Sequence, residues 1–146
     1  MPPQTVHRVF ITHGKDAGIR NQIEELIKFG SFEPVLSVKT ESLAKPVPLK
    51  VLDEMRGCQA AVIHVSVDQK VMDASGNEVD LVNQNVLIEI GAAMALYRDK
   101  FILLVEDGVT LPSNLQGLYE CRYSGSELSM TAAMKLLKAF NEFKNK

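Results

Sequence analysis

Hydrophobic positions along this chain follow two patterns, which alternate along the sequence. Short apolar runs rich in β-branched residues are typical of buried strands, and longer segments with apolar residues at helical spacing are typical of amphipathic helices. The runs predict five strands: His7–Thr12, Phe32–Val38, Ala60–Val67, Phe101–Val105 and Leu118–Tyr123. The helical spacing predicts four helices: Lys15–Phe29, Pro48–Gly57, Asn83–Lys100 and a last helix with Ser126 as its N-cap.

Strands that alternate with helices favour an α/β fold with a parallel, doubly wound sheet. We expect a flavodoxin-like three-layer fold whose five parallel strands lie in the order 2-1-3-4-5, with the Ala60–Val67 strand at the centre. The polar stretch Asp68–Val82 surrounds a Ser75-Gly76-Asn77 turn signal and is expected to form a long surface loop. Ligands of such folds bind at the carboxyl ends of the strands.

The predicted third helix carries one unexpected charge. From Val86 to Tyr97 every residue is apolar or Gly except Glu89. Burial of an ionised carboxylate is costly, so this placement indicates either a functional group or a partner in a structural ion pair. Helical spacing puts Asn85, Glu89, Ala92 and Ala93 on one face. The opposite, core-facing stripe is expected to contain Val86, Ile90, Met94 and Tyr97.

Composition narrows the classes of function. The 146 residues suffice for one domain with a real core, at 46% hydrophobic content. A formal charge of −2 with scattered basic residues argues against nucleic-acid binding. The two cysteines lie far apart and indicate neither a disulfide framework nor a zinc site. The same cysteine usage favours a reduced, cytoplasmic protein that binds no metal. No apolar run approaches the length of a membrane span, so membrane binding is not expected.

The turn His13-Gly14-Lys15-Asp16 precedes a helix, where free N–H groups can hold an anion such as phosphate. It matches neither standard Gly-rich nucleotide loop, and Asp16 and Gly14 also fit a simple cap and turn. His64 alternates with apolar residues in the central strand and suits a satisfied core position better than catalysis.

A single carboxylate near such a turn suits chemistry at an anomeric carbon. Cleavage of an N-glycosidic bond builds an oxocarbenium-like sugar, which a carboxylate can stabilise or attack. A positively charged nicotinamide leaves as a neutral molecule and needs no general acid. One glutamate is therefore sufficient for this reaction.

Most of the chain, from Arg8 to Tyr123, resembles bacterial TIR-like (Toll/interleukin-1 receptor) domains of the predicted nucleotide-binding type. The stretches that carry the resemblance are RVFITHGKD, AVIHVSVD and QNVLIEIGAAMALYRDKFILLVEDGVTLPSNLQGLYECRY. Domains of this family are effectors in cyclic-nucleotide-triggered anti-phage systems. The resemblance implies a flavodoxin-like TIR fold and an NAD⁺ hydrolase that releases nicotinamide and ADP-ribose or a cyclic isomer.

By the same resemblance, Glu89 is the catalytic glutamate, and the turn that begins at Thr12 faces the dinucleotide. The implied substrate-binding residues are Thr12, His13, Gly14, Lys15, Asp16, Asp68 and Asn85. A mobile loop after the second strand implies an assembly segment of Lys39, Thr40, Glu41, Ser42 and Leu43. NAD⁺ is the substrate, with no further cofactor, and a neighbouring copy in a homo-oligomer or filament completes the site.

Two features depart from the family pattern. The stretch before Gln84 is longer and more acidic than the family's short basic lead-in. We expect residues 1–146 to be a single TIR-like domain that does not itself include a sensor for a cyclic nucleotide or other trigger. Either a partner supplies sensing or the chain is the effector domain of a longer protein.

Two other classes of function stay open. EIGAAMAL also resembles the helix of nucleoside 2-deoxyribosyltransferases, whose glutamate is a nucleophile. A non-catalytic TIR module that acts by homotypic assembly would need no reactive carboxylate at all.

Overall fold

The computed structural model describes residues 5, 7–12, 17–36, 47–82 and 84–145 of the chain. Four α-helices fall within these ranges: α1 (Ala17–Phe29), α2 (Val47–Arg56), α3 (Gln84–Tyr97) and α4 (Met130–Lys144). The strands are β1 (Arg8–Ile11), β2 (Glu33–Leu36), β3 (Ala60–Val65), β4 (Val67–Met72), β5 (Glu78–Val82), β6 (Phe101–Glu106) and β7 (Glu120–Tyr123).

The main sheet has five strands in the order β2-β1-β3-β6-β7, and all neighbours are parallel. This is the predicted order 2-1-3-4-5, because β6 and β7 are the fourth and fifth strands of the sheet. The central strand β3 is buried along its whole length. The fold class is therefore confirmed as α/β, flavodoxin-like and three-layered.

The two faces of the sheet carry separate cores. Helices α1 and α4 cover one face, where Ile23, Leu136 and Phe140 pack on Val62 and Leu104. Helices α2 and α3 cover the other face, where the alternate residues of the same strands point. On this second face the segment 107–119, all of it described, contributes a single 3₁₀ turn (Ser113–Leu115) in place of an α-helix.

The stretch 68–82 is an antiparallel hairpin of β4 and β5, so the prediction of a surface loop was wrong. Val79 and Leu81 alternate with acidic residues at the period of a strand, a signal hidden by the high polarity. The predicted turn is confirmed. Asp73 Oδ1 accepts hydrogen bonds from the backbone N–H groups of Ser75 and Asn77, both at 2.9 Å, and Gly76 has a positive φ of 82°.

The last helix begins three residues later than predicted. Ser129 is the N-cap, with its side chain accepting from the backbone N–H of Ala132 at 3.1 Å. Residues 126–128 are instead held by Gln22 of α1, which donates to the carbonyl of Ser126 and accepts from Leu128 N–H. These tertiary hydrogen bonds keep Ser126 outside the helix.

The orientation predicted for α3 was right for Val86, Ile90 and Tyr97, which face the core, and wrong for Met94 and Glu89. Its buried positions are Val86, Glu89, Ile90, Ala93 and Tyr97, a regular inward stripe. Met94 is 43% exposed and lies off this stripe. Glu89 therefore shares the core-facing side of the helix with the apolar residues that were expected opposite to it.

Among the described residues, the helices are all too short or too polar to cross a membrane.

Candidate functional site

Glu89 is the buried carboxylate of the candidate site. It lies in the second turn of α3 and is only 3% exposed, between Val86 and Ile90 of the core under this helix. Glu89 interacts with another group of the chain, so a structural ion pair and a reactive role both fit its placement. Its depth in an apolar environment strengthens its electrostatic effect on any charge that develops beside it.

The start of α3 is fixed to the carboxyl edge of the main sheet. The hairpin leaves β3 at this edge, and its first residue, Val67, pairs with its last, Val82. The backbone N–H of Val67 donates to Glu106 Oε1 at 3.3 Å, at the carboxyl end of β6. Because α3 begins two residues after Val82, this contact holds the base of the hairpin, and with it the helix that carries Glu89, against the sheet edge.

Asp68 occupies an irregular position in the hairpin. Val67 pairs with Val82 while Gln69 pairs with Leu81, so Asp68 is the extra residue of a β-bulge. Bulges redirect the chain and are common beside active sites. The acidic residue that the family resemblance placed against the substrate thus lies one residue from the contact between Val67 and Glu106.

Asn85 is the second residue of α3 and is exposed, one helical turn before Glu89. It is engaged in an interaction within the chain. Asn85 and Glu89 are thus brought together on one helix, as the spacing predicts, with the amide outside and the carboxylate inside.

Thr12 directly follows β1 and is 1% exposed. Its backbone N–H donates to Val62 O at 3.3 Å, and its hydroxyl oxygen accepts from the backbone N–H of His64 at 2.7 Å. The hydroxyl is therefore held inside the sheet edge.

His64 is a satisfied core residue, as the sequence predicts. It is 2% exposed, and its Nε2 lies 2.5 Å from the hydroxyl oxygen of Tyr123 on β7. The two rings are 5.3 Å apart and tilted by 50°. The sequence does not reveal this pair, because the partner lies 59 residues away on a strand that is not adjacent to β3.

The remaining predicted site residues lie outside the described residues. They are the turn His13, Gly14, Lys15 and Asp16 and the assembly segment Lys39, Thr40, Glu41, Ser42 and Leu43.

A concavity of about 580 Å³ lies beside β7, on the face covered by α2 and α3. Its described lining comes from residues 108–122 and includes Arg122, which donates to Val109 O at 2.8 Å and pairs with Glu120 at 3.2 Å. The size suits a small ligand. Its lining residues differ from the residues predicted for the chemistry, so we place the candidate site at Glu89.

The family comparison gives the class of this domain. The model of the family described as "CAP12/Pycsar effector protein, TIR domain" matches residues 8–125, well over half of the chain. The chain belongs to this family, and the resemblance seen in the sequence is confirmed. The match contains β1 to β7 and α3, and so includes Thr12, Asp68, Asn85 and Glu89.

Comparison with solved structures adds support for the fold alone. The constitutive lysine decarboxylase of E. coli is similar over 95% of this chain, with a TM-score of 0.51 and 10% sequence identity. The aligned region is 18% of the decarboxylase chain. No curated protein sequence matches the chain.

Proposed function

We propose that this TIR domain is an NAD⁺ glycohydrolase that acts as an effector in anti-phage defence. The observation that carries the proposal is Glu89, a carboxylate 3% exposed in the second turn of a helix that otherwise contains no charged residue. Membership of the CAP12/Pycsar effector TIR family supports the choice of substrate and setting.

In the proposed reaction the bond between ribose C1′ and the nicotinamide nitrogen breaks. The bonding electron pair leaves with nicotinamide, which departs neutral, and positive charge develops on the ribose. The carboxylate of Glu89 stabilises this cation or bonds to C1′. Water then adds at C1′ and loses a proton, giving ADP-ribose; attack by an adenine nitrogen would give a cyclic isomer instead.

Self-assembly is the proposed switch. The family description names Pycsar effectors, which supports a cyclic nucleotide as the trigger, sensed by a further domain or a partner protein. Assembly into a homo-oligomer or filament through TIR–TIR contacts, including the Lys39–Leu43 segment, then completes the site. We place this reaction in the cytoplasm.

The test is NAD⁺ turnover followed by chromatography, at high protein concentration with a crowding agent. We expect nicotinamide release by the wild type and a loss of about a thousandfold or more in Glu89→Gln, because the change removes the charge that opposes the cation. Glu25→Gln is the matched control, since it makes the same change at an exposed position of α1 and should keep full turnover.

Each contrary outcome points to one alternative. Turnover that survives in Glu89→Gln would remove the carboxylate from the mechanism. A deoxyribosyl group trapped on Glu89 with a deoxynucleoside substrate would support the deoxyribosyltransferase hypothesis. Intact NAD⁺ with a demonstrably assembled wild type would leave the non-catalytic assembly module.

A further inference from the structure

Three buried polar side chains connect strands at the carboxyl edge of the sheet. Thr12, His64 and Tyr123 are 1%, 2% and 4% exposed, and they follow or lie near the ends of β1, β3 and β7. The backbone N–H of His64 donates to the hydroxyl oxygen of Thr12, and the ring of His64 contacts the hydroxyl of Tyr123. The carbonyl of Tyr123 in turn accepts from Asp107 N–H at 2.8 Å.

The Thr12 hydroxyl occupies the place of a backbone acceptor. In a parallel ladder, a residue whose N–H bonds to the carbonyl of Val62 uses its own carbonyl to accept from the N–H of His64. Here the N–H bond from Thr12 to Val62 is present, but His64 donates to the Thr12 side chain. The hydroxyl therefore satisfies the last buried N–H of the ladder, and β1 ends at Ile11.

The contact between His64 and Tyr123 supports the hydrogen bond between His64 and Thr12. His64 is on the central strand, and its ring reaches past β6 to the edge strand β7. Buried polar groups are costly unless their hydrogen bonds are made, so the ring has few other places to lie. The contact fixes the end of β3 and thus the position of the His64 N–H, which donates to the Thr12 hydroxyl oxygen.

We propose that Thr12, His64 and Tyr123 form a positioning network that sets where the chain leaves β1, immediately before the residues that the proposed function assigns to the substrate. The inference rests on the proposed NAD⁺ glycohydrolase activity. It assigns Thr12 a positioning role in place of direct contact with the dinucleotide. It adds His64 and Tyr123, two buried residues outside the predicted site.

The first test compares Thr12→Val with Thr12→Ser. Valine keeps the shape of threonine but offers no acceptor, so the His64 N–H loses its hydrogen bond to residue 12 and the end of β1 is held less firmly. We expect KM for NAD⁺ to rise about three- to tenfold, the range of one ordinary hydrogen bond, with kcat changed by less than about twofold. Serine retains the acceptor and should restore the wild-type KM.

The second test separates positioning from direct contact. Tyr123→Phe removes the buried hydroxyl that contacts the ring of His64. It should raise KM, as Thr12→Val does. Tyr97→Phe is the matched control: Tyr97 is 5% exposed and its hydroxyl donates to Met55 O at 2.5 Å, at the far end of α3. Tyr97→Phe should leave KM unchanged. Equal kinetics for the two variants would overturn the proposal.

An independent readout is amide hydrogen exchange followed by NMR, which suits a 16.1 kDa chain. The ratio of the exchange rate of His64 N–H to that of Leu103 N–H, which bonds to Tyr119 O at 3.0 Å, corrects for global stability. The ratio should rise in Thr12→Val and stay at the wild-type value in Thr12→Ser. An unchanged ratio in Thr12→Val overturns the network even if the enzyme is active. Absence of wild-type turnover overturns the proposed function instead, and the exchange ratio then decides the network alone.

Discussion

Helices α4 and α3 cover opposite faces of the same sheet with opposite distributions of charge. In α4 the buried stripe is wholly apolar, and charged residues such as Lys135 and Lys144 face water. In α3 the only charged residue, Glu89, is 3% exposed, while Ile88 and Leu96 are 51% and 42% exposed. Folding alone explains α4, because burial of apolar surface is the main driving force.

Two features of α3 work against stability: its buried charge and its exposed apolar side chains. A buried carboxylate loses hydration, and exposed apolar side chains keep unfavourable contact with water. This difference supports separate roles for the two helices: α4 stabilises the domain, and α3 carries the proposed reactive group. The exposed apolar side of α3 also fits the proposed assembly, since such surfaces are common at protein interfaces.

The largest effect is expected in α4. Phe140 is 1% exposed and meets Phe32 edge to face, with ring centroids 6.4 Å apart. Phe140→Ala should lower the free energy of unfolding by about 3–5 kcal/mol through lost burial and a residual cavity. Urea denaturation measures this loss. Met134→Ala, at a position of α4 that is 61% exposed, should change it by about 0.5 kcal/mol or less. Similar losses in both variants would contradict the assigned orientation of α4.

The next effect concerns the core beneath α2 and α3. Burial raises the pKa of the Cys58 thiol from 9.0 to about 11. Below pH 9 the thiol is protonated in both states; between pH 9 and 11 the unfolded thiol ionises first, so the folded state loses stability. The wild type should lose about 2 kcal/mol more than Cys58→Ala over this range. Urea titrations at several pH values test this, and parallel curves for the two proteins would contradict it.

A smaller effect is expected at the start of α4. Ser129 accepts from the backbone N–H of Ala132, so Ser129→Ala should cost about 1 kcal/mol of stability. Ser126→Ala is the control, because only the backbone of Ser126 bonds to Gln22 in the structure. A larger loss of stability in Ser126→Ala than in Ser129→Ala would indicate that Ser126 is the N-cap, as the sequence predicts.

These positions also show how far the sequence determines the structure. The five sheet strands were predictable because their apolar runs are buried, whereas β4 and β5 carry only a weak alternation in an exposed hairpin. Glu89 was predictable as a lone charge. Its direction was not, since a helix that is apolar all round does not mark its inner face. The cap at Ser129 and the contact of His64 with Tyr123 depend on tertiary pairing that local patterns do not encode.

The smallest expected effect on stability belongs to Glu89. Glutamine has nearly the same shape and keeps one carbonyl acceptor, so a carboxylate maintained for catalysis should be replaceable at little cost. We expect Glu89→Gln to change the free energy of unfolding by less than about 1 kcal/mol, or to raise it, while turnover is lost. Glu25→Gln, on the exposed side of α1, gives the baseline for removal of one negative charge.

The structural alternative predicts the reverse relation between stability and activity. If Glu89 is one member of a buried ion pair, Glu89→Gln leaves the other charge buried without compensation, at a cost of about 3–5 kcal/mol. Urea denaturation of Glu89→Gln beside Phe140→Ala therefore decides between the two roles. A loss as large as that of Phe140→Ala would make Glu89 a structural residue like those of α4. A loss no larger than that of Glu25→Gln, with turnover abolished, would establish that α3 carries its buried charge for the reaction.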